Sequence, residues 1–240
     1  MHISSGTLII SGIVLLLAYL VFLAYPVYHS THISQSLIQR AVPYEQHPSV
    51  PTMRILVVGD STAVGVGTMD NHDSTAGRLG KQFPTADITN VAVSGYRLAD
   101  VVAVLQKQHG THYDLLLLQI GANDVTHFTP ATSVAQQLSQ ILTVCSELSN
   151  KTILLTAGNI GLSHVFHWPL SAIITRRTRL VRSIFIKTVA QYPTVAYVDL
   201  FKNKKDDIFE TDIARYYVAD HFHLTDDGYG IWYQYIQKFL

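Results

Sequence analysis

Arg54-Ile55-Leu56-Val57-Val58-Gly59-Asp60-Ser61 is the stretch whose reading decides the fold of this chain. Ile55 to Val58 is a short, continuous apolar run that ends at a glycine, the pattern of a strand buried on both faces of a parallel sheet. Thr62-Ala63-Val64-Gly65-Val66-Gly67 follows, so Ser61 sits in a glycine-rich turn at the strand's carboxyl end. Open α/β sheets present their reactive groups there. Gly-Asp-Ser also makes ordinary turns, and the tripeptide alone leaves a turn and a nucleophile both open.

Outward from this strand the pattern repeats. Further strands are predicted at Ile88–Val93, Leu115–Ile120, Thr152–Thr156 and Val195–Val198, with helices at Ser74–Gln82, Leu98–Gln108, Ala131–Leu148 and Leu170–Gln191. A last helix runs from Asp226 to Phe239, with Thr225 as its N-cap and two acids in its first turn. Strands alternating with helices imply a mainly parallel five-stranded sheet covered on both faces, a three-layer α/β/α sandwich.

The 240 residues suit one domain with an appendage, and equal totals of 17 basic and 17 acidic residues give no electrostatic pointer to nucleic acid. Cys145 is the only cysteine, which excludes an intrachain disulfide; within an apolar-periodic stretch it reads as a buried structural thiol. Residues 7–25 carry no charge and span about the ~20 residues of a membrane helix. A cleaved signal peptide would want basic residues before the run and an A-x-A-like site after it. Neither is present, and a core helix would not be apolar on all sides, so a retained transmembrane anchor is expected. No basic residue follows the span until Arg40, which favours a translocated, extracytoplasmic carboxyl-terminal domain. The expected organisation is a tail at 1–6, the anchor at 7–25, a proline-punctuated stalk at 26–52 with a short helix near Ile33 to Arg40, and a domain at 53–240.

The chain's polar exceptions gather after the predicted strands: Ser61, then Ser94-Gly95, then Gly121-Ala122-Asn123-Asp124, and near the end Asp220-His221-Phe222-His223. A serine becomes a useful nucleophile when a base takes its proton and a third group orients that base. His223 and Asp220 can supply both functions from one loop. The backbone N–H groups of Ser61 and Gly95 and the amide of Asn123 are suitable donors for an oxyanion.

This ordered set, Gly59-Asp60-Ser61, Gly95, Gly121-Ala122-Asn123-Asp124 and Asp220-x-x-His223, resembles the SGNH (GDSL-type) hydrolases over Arg54 to Tyr229. The resemblance implies a flavodoxin-like sandwich, Ser61 as nucleophile, His223 as base and Asp220 as its orienter. It also implies an oxyanion hole of Ser61, Gly95 and Asn123, with no metal or organic cofactor. Leu224 stands where many members carry proline, a matter of loop stiffness. Substrates in the family include lysophospholipids, acyl thioesters, simple carboxylic esters and acetylated sugars. Val125 to Pro130 looks closest to the lysophospholipase-like esterases. The expectation is a membrane-anchored serine esterase acting on a small-molecule or lipid ester. Its rivals are an envelope O-acyltransferase with the same triad and a catalytically silent envelope-anchored binding module.

Other candidates have plainer readings. Ser94 reads as a turn hydroxyl, and Asp124 as a structural acceptor for nearby backbone. His221 competes with His223 as the base, and the Asp220-x-x-His223 spacing favours His223; His109-x-x-His112 reads as solvated. Gly65 and Gly67 lack the Gly-Lys-Ser/Thr ending of a phosphate loop and read as close backbone packing. The segment Ser163 to Leu170 could wall a substrate pocket or simply pack on the sheet's edge. Arg176, Arg177, Arg179 and Arg182 read as a solvated helix face, with anionic headgroups as the other reading.

Overall fold

A computed structural model describes residues 5–240; the expected tail at 1–6 lies mostly outside them. In chain order the elements are α1 (Ser5–Arg40), β1 (Met53–Gly59), α2 (Ser61–Val64), α3 (Thr75–Gln82), β2 (Ala86–Asn90), α4 (Leu98–Gln106), β3 (Leu115–Gln119) and α5 (Ala122–Thr126). They continue as α6 (Ala131–Leu148), β4 (Thr152–Leu155), α7 (Leu170–Val189), β5 (Val195–Val198), α8 (Ile213–Tyr216) and α9 (Asp226–Gln237). All five strands are parallel, in the order β2-β1-β3-β4-β5.

Alternation along the strands builds two cores. Ile55 and Val57 of β1, Leu115 and Leu117 of β3 and Ile153 and Leu155 of β4 face one layer, with Leu79 of α3 and Tyr229 and Trp232 of α9. Leu56 and Val58, Leu116 and Leu118, and Leu154 face the other, with Val101 of α4, Ile141 of α6 and Phe185 of α7. A period of two divides each strand between the faces, which is why the strands read as unbroken apolar runs. The expected sandwich is the observed one, with strand and helix ends moved by a few residues at most.

The stalk expected at 26–52 is corrected. α1 continues through Pro26 to Arg40 as one helix of 36 residues. An interior proline costs a helix roughly 3 kcal/mol, so another force sustains it. Between Leu23 and Arg40 the partly or fully buried positions are Leu23, Pro26, Val27, Ser30, Ile33, Ser34, Ser36 and Leu37. Their spacing of three and four is one face of a helix, and that face lies on the domain. Residues after Arg40 are likewise part of the body. Tyr44 is buried in the α3/α9 core, and Gln46 exchanges two backbone hydrogen bonds with Ile88, covering the edge of β2. Upstream, Leu8 to Leu17 and their neighbours are exposed, and α1 is long and apolar enough to cross a membrane.

The β1 terminus is tightly set. A Cβ added at Gly59 would lie 1.9 Å from the Gln119 carbonyl oxygen and 3.0 Å from the Ala63 Cβ. Because that backbone oxygen belongs to the central strand β3 and cannot retreat, Gly59→Ala is expected to destabilise the fold by about 3 kcal/mol or more. Urea denaturation of the variant checks it; a loss below about 1 kcal/mol would contradict the packing.

Candidate active site

The end of β1 turns directly into α2. Asp60 donates its N–H to Gln119 O at 3.0 Å, and its Oδ1 accepts from the Thr62 N–H at 2.9 Å and the Thr62 hydroxyl at 2.8 Å. This is an N-cap, which leaves Ser61 as the first helical residue with its N–H free of an intrahelical acceptor. Close packing holds the following turn in place. Gly67 has φ +102°, and a Cβ there would meet Leu224 O at 2.3 Å, so the loops that carry Ser61 and His223 touch through backbone.

Asp220 and His223 lie in the loop between α8 and α9. Asp220 has no solvent exposure. Its Oδ1 accepts from the N–H groups of Phe222 and His223, both at 2.9 Å, which folds the loop around the carboxylate. Its Oδ2 stands 2.6 Å from His223 Nδ1. A buried carboxylate only accepts, so Nδ1 carries the proton and Nε2 presents a lone pair. That lone pair faces Ser61 Oγ at 3.0 Å. Burial alone would push the Asp220 carboxyl up; the hydrogen bonds and charge of His223, with the backbone donors, outweigh it and hold the acid below the usual range. It is therefore the ionised partner that an imidazolium needs.

Asn123, at the start of α5, donates Nδ2–H to Tyr96 O at 2.9 Å and thereby ties the turn after β2 to the end of β3. Asp124 beside it is fully buried and accepts the Leu98 N–H at 3.0 Å, the structural role its sequence context suggested. Gly95 adopts φ +87° on the exposed turn that Asn123 secures, outside the residues that line the cleft. The structure thus brings Ser61, Asn123, Asp220 and His223 together, with Gly95 on the adjoining turn.

Ser61, Asn123 and His223 open into a cleft whose walls include Ile160, Leu200, Phe209, Tyr217, Phe222 and Trp232. Of the Ser163–Leu170 segment only the first residue belongs to this site. Ser163 lines the cleft and donates its hydroxyl to His221 O at 2.8 Å, whereas Trp168 projects outward, 73% exposed. Phe209 and Tyr217 had no motif to mark them. Ser30 and Ser34 of α1, which reach Asp220, were also missed; nothing local in the sequence links them to a residue some 190 positions away.

The remaining candidates have other occupations. His221 is exposed and His112 bonds Asn150. Cys145 is buried, which pushes its thiol up to about 12 and removes the thiolate. Arg182 pairs with Asp199, Arg179 reaches Asn203 and Arg177 donates to Thr129 O. Among the described residues no three His, Cys, Asp or Glu side chains are grouped to hold a metal ion.

Asp60 generates a test. Burial pushes its carboxyl up to about 6, only partly opposed by the Thr62 hydrogen bonds and the charge of His223. Folding therefore favours the protonated acid. That contribution is complete below the unfolded acid's value and is lost as pH rises through about 6. Asp60→Asn keeps an acceptor for Thr62, so it is expected to raise unfolding free energy at pH 8 by about 2–3 kcal/mol and to leave pH 3 unchanged. Urea unfolding at the two pH values checks this; equal changes at both would refute it.

The GDSL-like lipase/acylhydrolase family profile matches residues 57–231. No protein of curated function matches the sequence. A Lactobacillus plantarum protein shares the fold at TM-score 0.64 and 21% identity, over 81% of this chain and 98% of that one. A member of the lipolytic G-D-S-L family from Veillonella parvula superposes at TM-score 0.61 and 17% identity, over 78% and 97%. A variant of the acetyl xylan esterase Axe2 from Geobacillus stearothermophilus does so at 0.53 and 18%, over 79% and 94%. With the profile matched over most of its length, including all four motif blocks, the chain belongs to the GDSL-like lipase/acylhydrolase family and is a carboxylic ester hydrolase.

Proposed function

We propose that this protein is a membrane-anchored serine esterase that hydrolyses acyl esters through Ser61, His223 and Asp220. The observation that carries the reading is the continuous buried chain from Asp220 Oδ2 to His223 Nδ1 (2.6 Å) and from His223 Nε2 to Ser61 Oγ (3.0 Å), opening into an apolar cleft. Ser61 Oγ attacks the ester carbonyl carbon while its proton passes to His223 Nε2. Asp220 holds the imidazole in the required tautomer and stabilises the imidazolium. The Ser61 and Gly95 N–H groups and the Asn123 amide receive the developing oxyanion; each such donor is typically worth about 3–4 kcal/mol in the transition state. His223 returns the proton to the departing alcohol, leaving an acyl ester on Ser61 Oγ. A water deprotonated by the same imidazole then attacks that ester and releases the acid.

The cleft's aromatic and aliphatic walls suit an acyl chain rather than a sugar. In this reading, residues 7–25 span the bilayer with the domain on the translocated side. Two contacts support a site at the membrane surface. Tyr19 donates its hydroxyl to Trp168 O at 3.0 Å, and the Phe22 and His167 rings lie 4.6 Å apart. Tyr19 precedes Tyr25, the end of the apolar span, by about 9 Å of helix. On this reading the exposed Trp168 dips into the outer leaflet from the domain side, close to the interface where tryptophan is favoured. The substrate we favour is a lipid monoester such as a lysophospholipid, reaching the cleft from the bilayer.

Ser61→Ala is expected to lower kcat on nitrophenyl esters at least about 10³-fold; turnover near the wild-type rate would sink the mechanism. A chain-length series from acetyl to long acyl, with lysophosphatidylcholine vesicles alongside, tests the substrate. Trp168→Ala is expected to raise KM several-fold on vesicles and to leave a soluble short-chain ester unaffected. Equal effects on both would remove the membrane-depth reading.

A further inference from the structure

α1 reaches into the site. Ser34 Oγ lies 2.7 Å from Asp220 Oδ2, and Ser30 Oγ lies 2.7 Å from the Asp220 backbone oxygen. Both hydroxyls donate, because a carboxylate and a carbonyl only accept. Ser30 and Ser34 are one helical turn apart and share a face. Ser30 is buried, Ser34 is half-buried, and Asp220 has no exposure at all. The Asp220 carboxylate therefore takes four donors: two backbone N–H groups on Oδ1, and His223 Nδ1–H with the Ser34 hydroxyl on Oδ2. Three come from its own loop. The fourth comes from the helix that continues the apolar span, and it meets the same oxygen that holds His223.

On the reading that Asp220, His223 and Ser61 form the catalytic set, we propose that Ser34 is a positioning residue for the catalytic acid, delivered by the membrane-spanning helix, with Ser30 fixing the backbone of the same residue. A buried carboxylate oxygen can rotate about the Cβ–Cγ bond unless its lone pairs are fully engaged. The Oδ1 donors pin one oxygen to the loop, and Ser34 fixes the rotation of the other, so the 2.6 Å contact to Nδ1 keeps its direction. Hydrogen bonds to an ionised acceptor are roughly twice as strong as neutral ones, and a carboxylate deprived of water has no substitute donor. Ser30 and Ser34 are then part of the catalytic unit, and activity depends on α1 staying seated against the loop at 218–224.

The test uses the full chain in detergent micelles with a soluble short-chain nitrophenyl ester. Active sites are titrated with a fluorophosphonate so that only folded, competent molecules are counted. Ser34→Ala is expected to lower kcat per titrated site about tenfold with KM unchanged, and to slow phosphonylation of Ser61 by a similar factor. Ser34→Thr retains the hydroxyl and is expected to restore kcat to within about twofold. Ser36→Ala, whose hydroxyl bonds Ile33 O within α1, serves as the control and is expected to match wild type. A wild-type kcat per site in Ser34→Ala, or an equal fall in Ser34→Thr or in Ser36→Ala, overturns the assignment. Ser61→Ala run in parallel separates the two levels: turnover near the wild-type rate there defeats the triad reading itself, whereas a fall of about 10³-fold or more in Ser61→Ala beside a fully active Ser34→Ala defeats the helix contribution alone.

Discussion

A carboxylate with no access to water must find all of its hydrogen-bond donors in the protein, and Asp220 is that carboxylate. An ionised group left unpaired in such a place costs several kcal/mol, so its surroundings are tightly specified. The loop from Val218 to Leu224 folds around Oδ1, His223 is fixed by Oδ2, and α1 is drawn in by the two serines. The aim of His223 at Ser61, and the path of the helix beyond Pro26, both follow from satisfying one buried charge.

The opposite side of the site is held by backbone rather than charge. Gly59 brings β1 so close to β3 that no side chain fits, and Gly67 does the same between the α2 turn and the His223 loop. Asp60 caps α2, and Asn123 and Asp124 tie the loops after β2 and β3 together. These contacts set the position of Ser61 relative to His223 to within hydrogen-bond distance without any direct covalent or ionic link between the two halves. The two buried acids are also pushed in opposite directions: Asp220 is held low by His223, while Asp60 is raised by desolvation. Similar side chains a short way apart thus serve as a permanent anion and as a capping acceptor that folding prefers protonated.

Most of the sheet was legible because its strands are buried on both faces. Ile55 to Val58 and Leu115 to Leu118 alternate between two cores that are equally apolar, so the runs are unmistakable and glycine or polar residues mark their ends. Ser61, Asn123, Asp220 and His223 were legible for a related reason, being polar exceptions at strand or loop positions in an otherwise apolar pattern. The segment from Pro26 to Thr52 was not. Proline and polar composition argue locally for a stalk, whereas Leu23, Ser30, Ser34 and Leu37 form a docking face that exists only once Asp220 and the α3/α9 core are present to receive it.

The sequence by itself determined the parallel sheet, the apolar span and which polar groups stand at the strand ends, because strand burial, helix length and residue chemistry are local properties. Tertiary structure decided what those groups face. It placed His223 rather than His221 against Ser61, and it turned an apparent stalk into a helix. It also brought two serines of that helix to an acid 186 and 190 positions away. The physical reason is that desolvation is collective: which donor satisfies a buried charge depends on everything that excludes water from it.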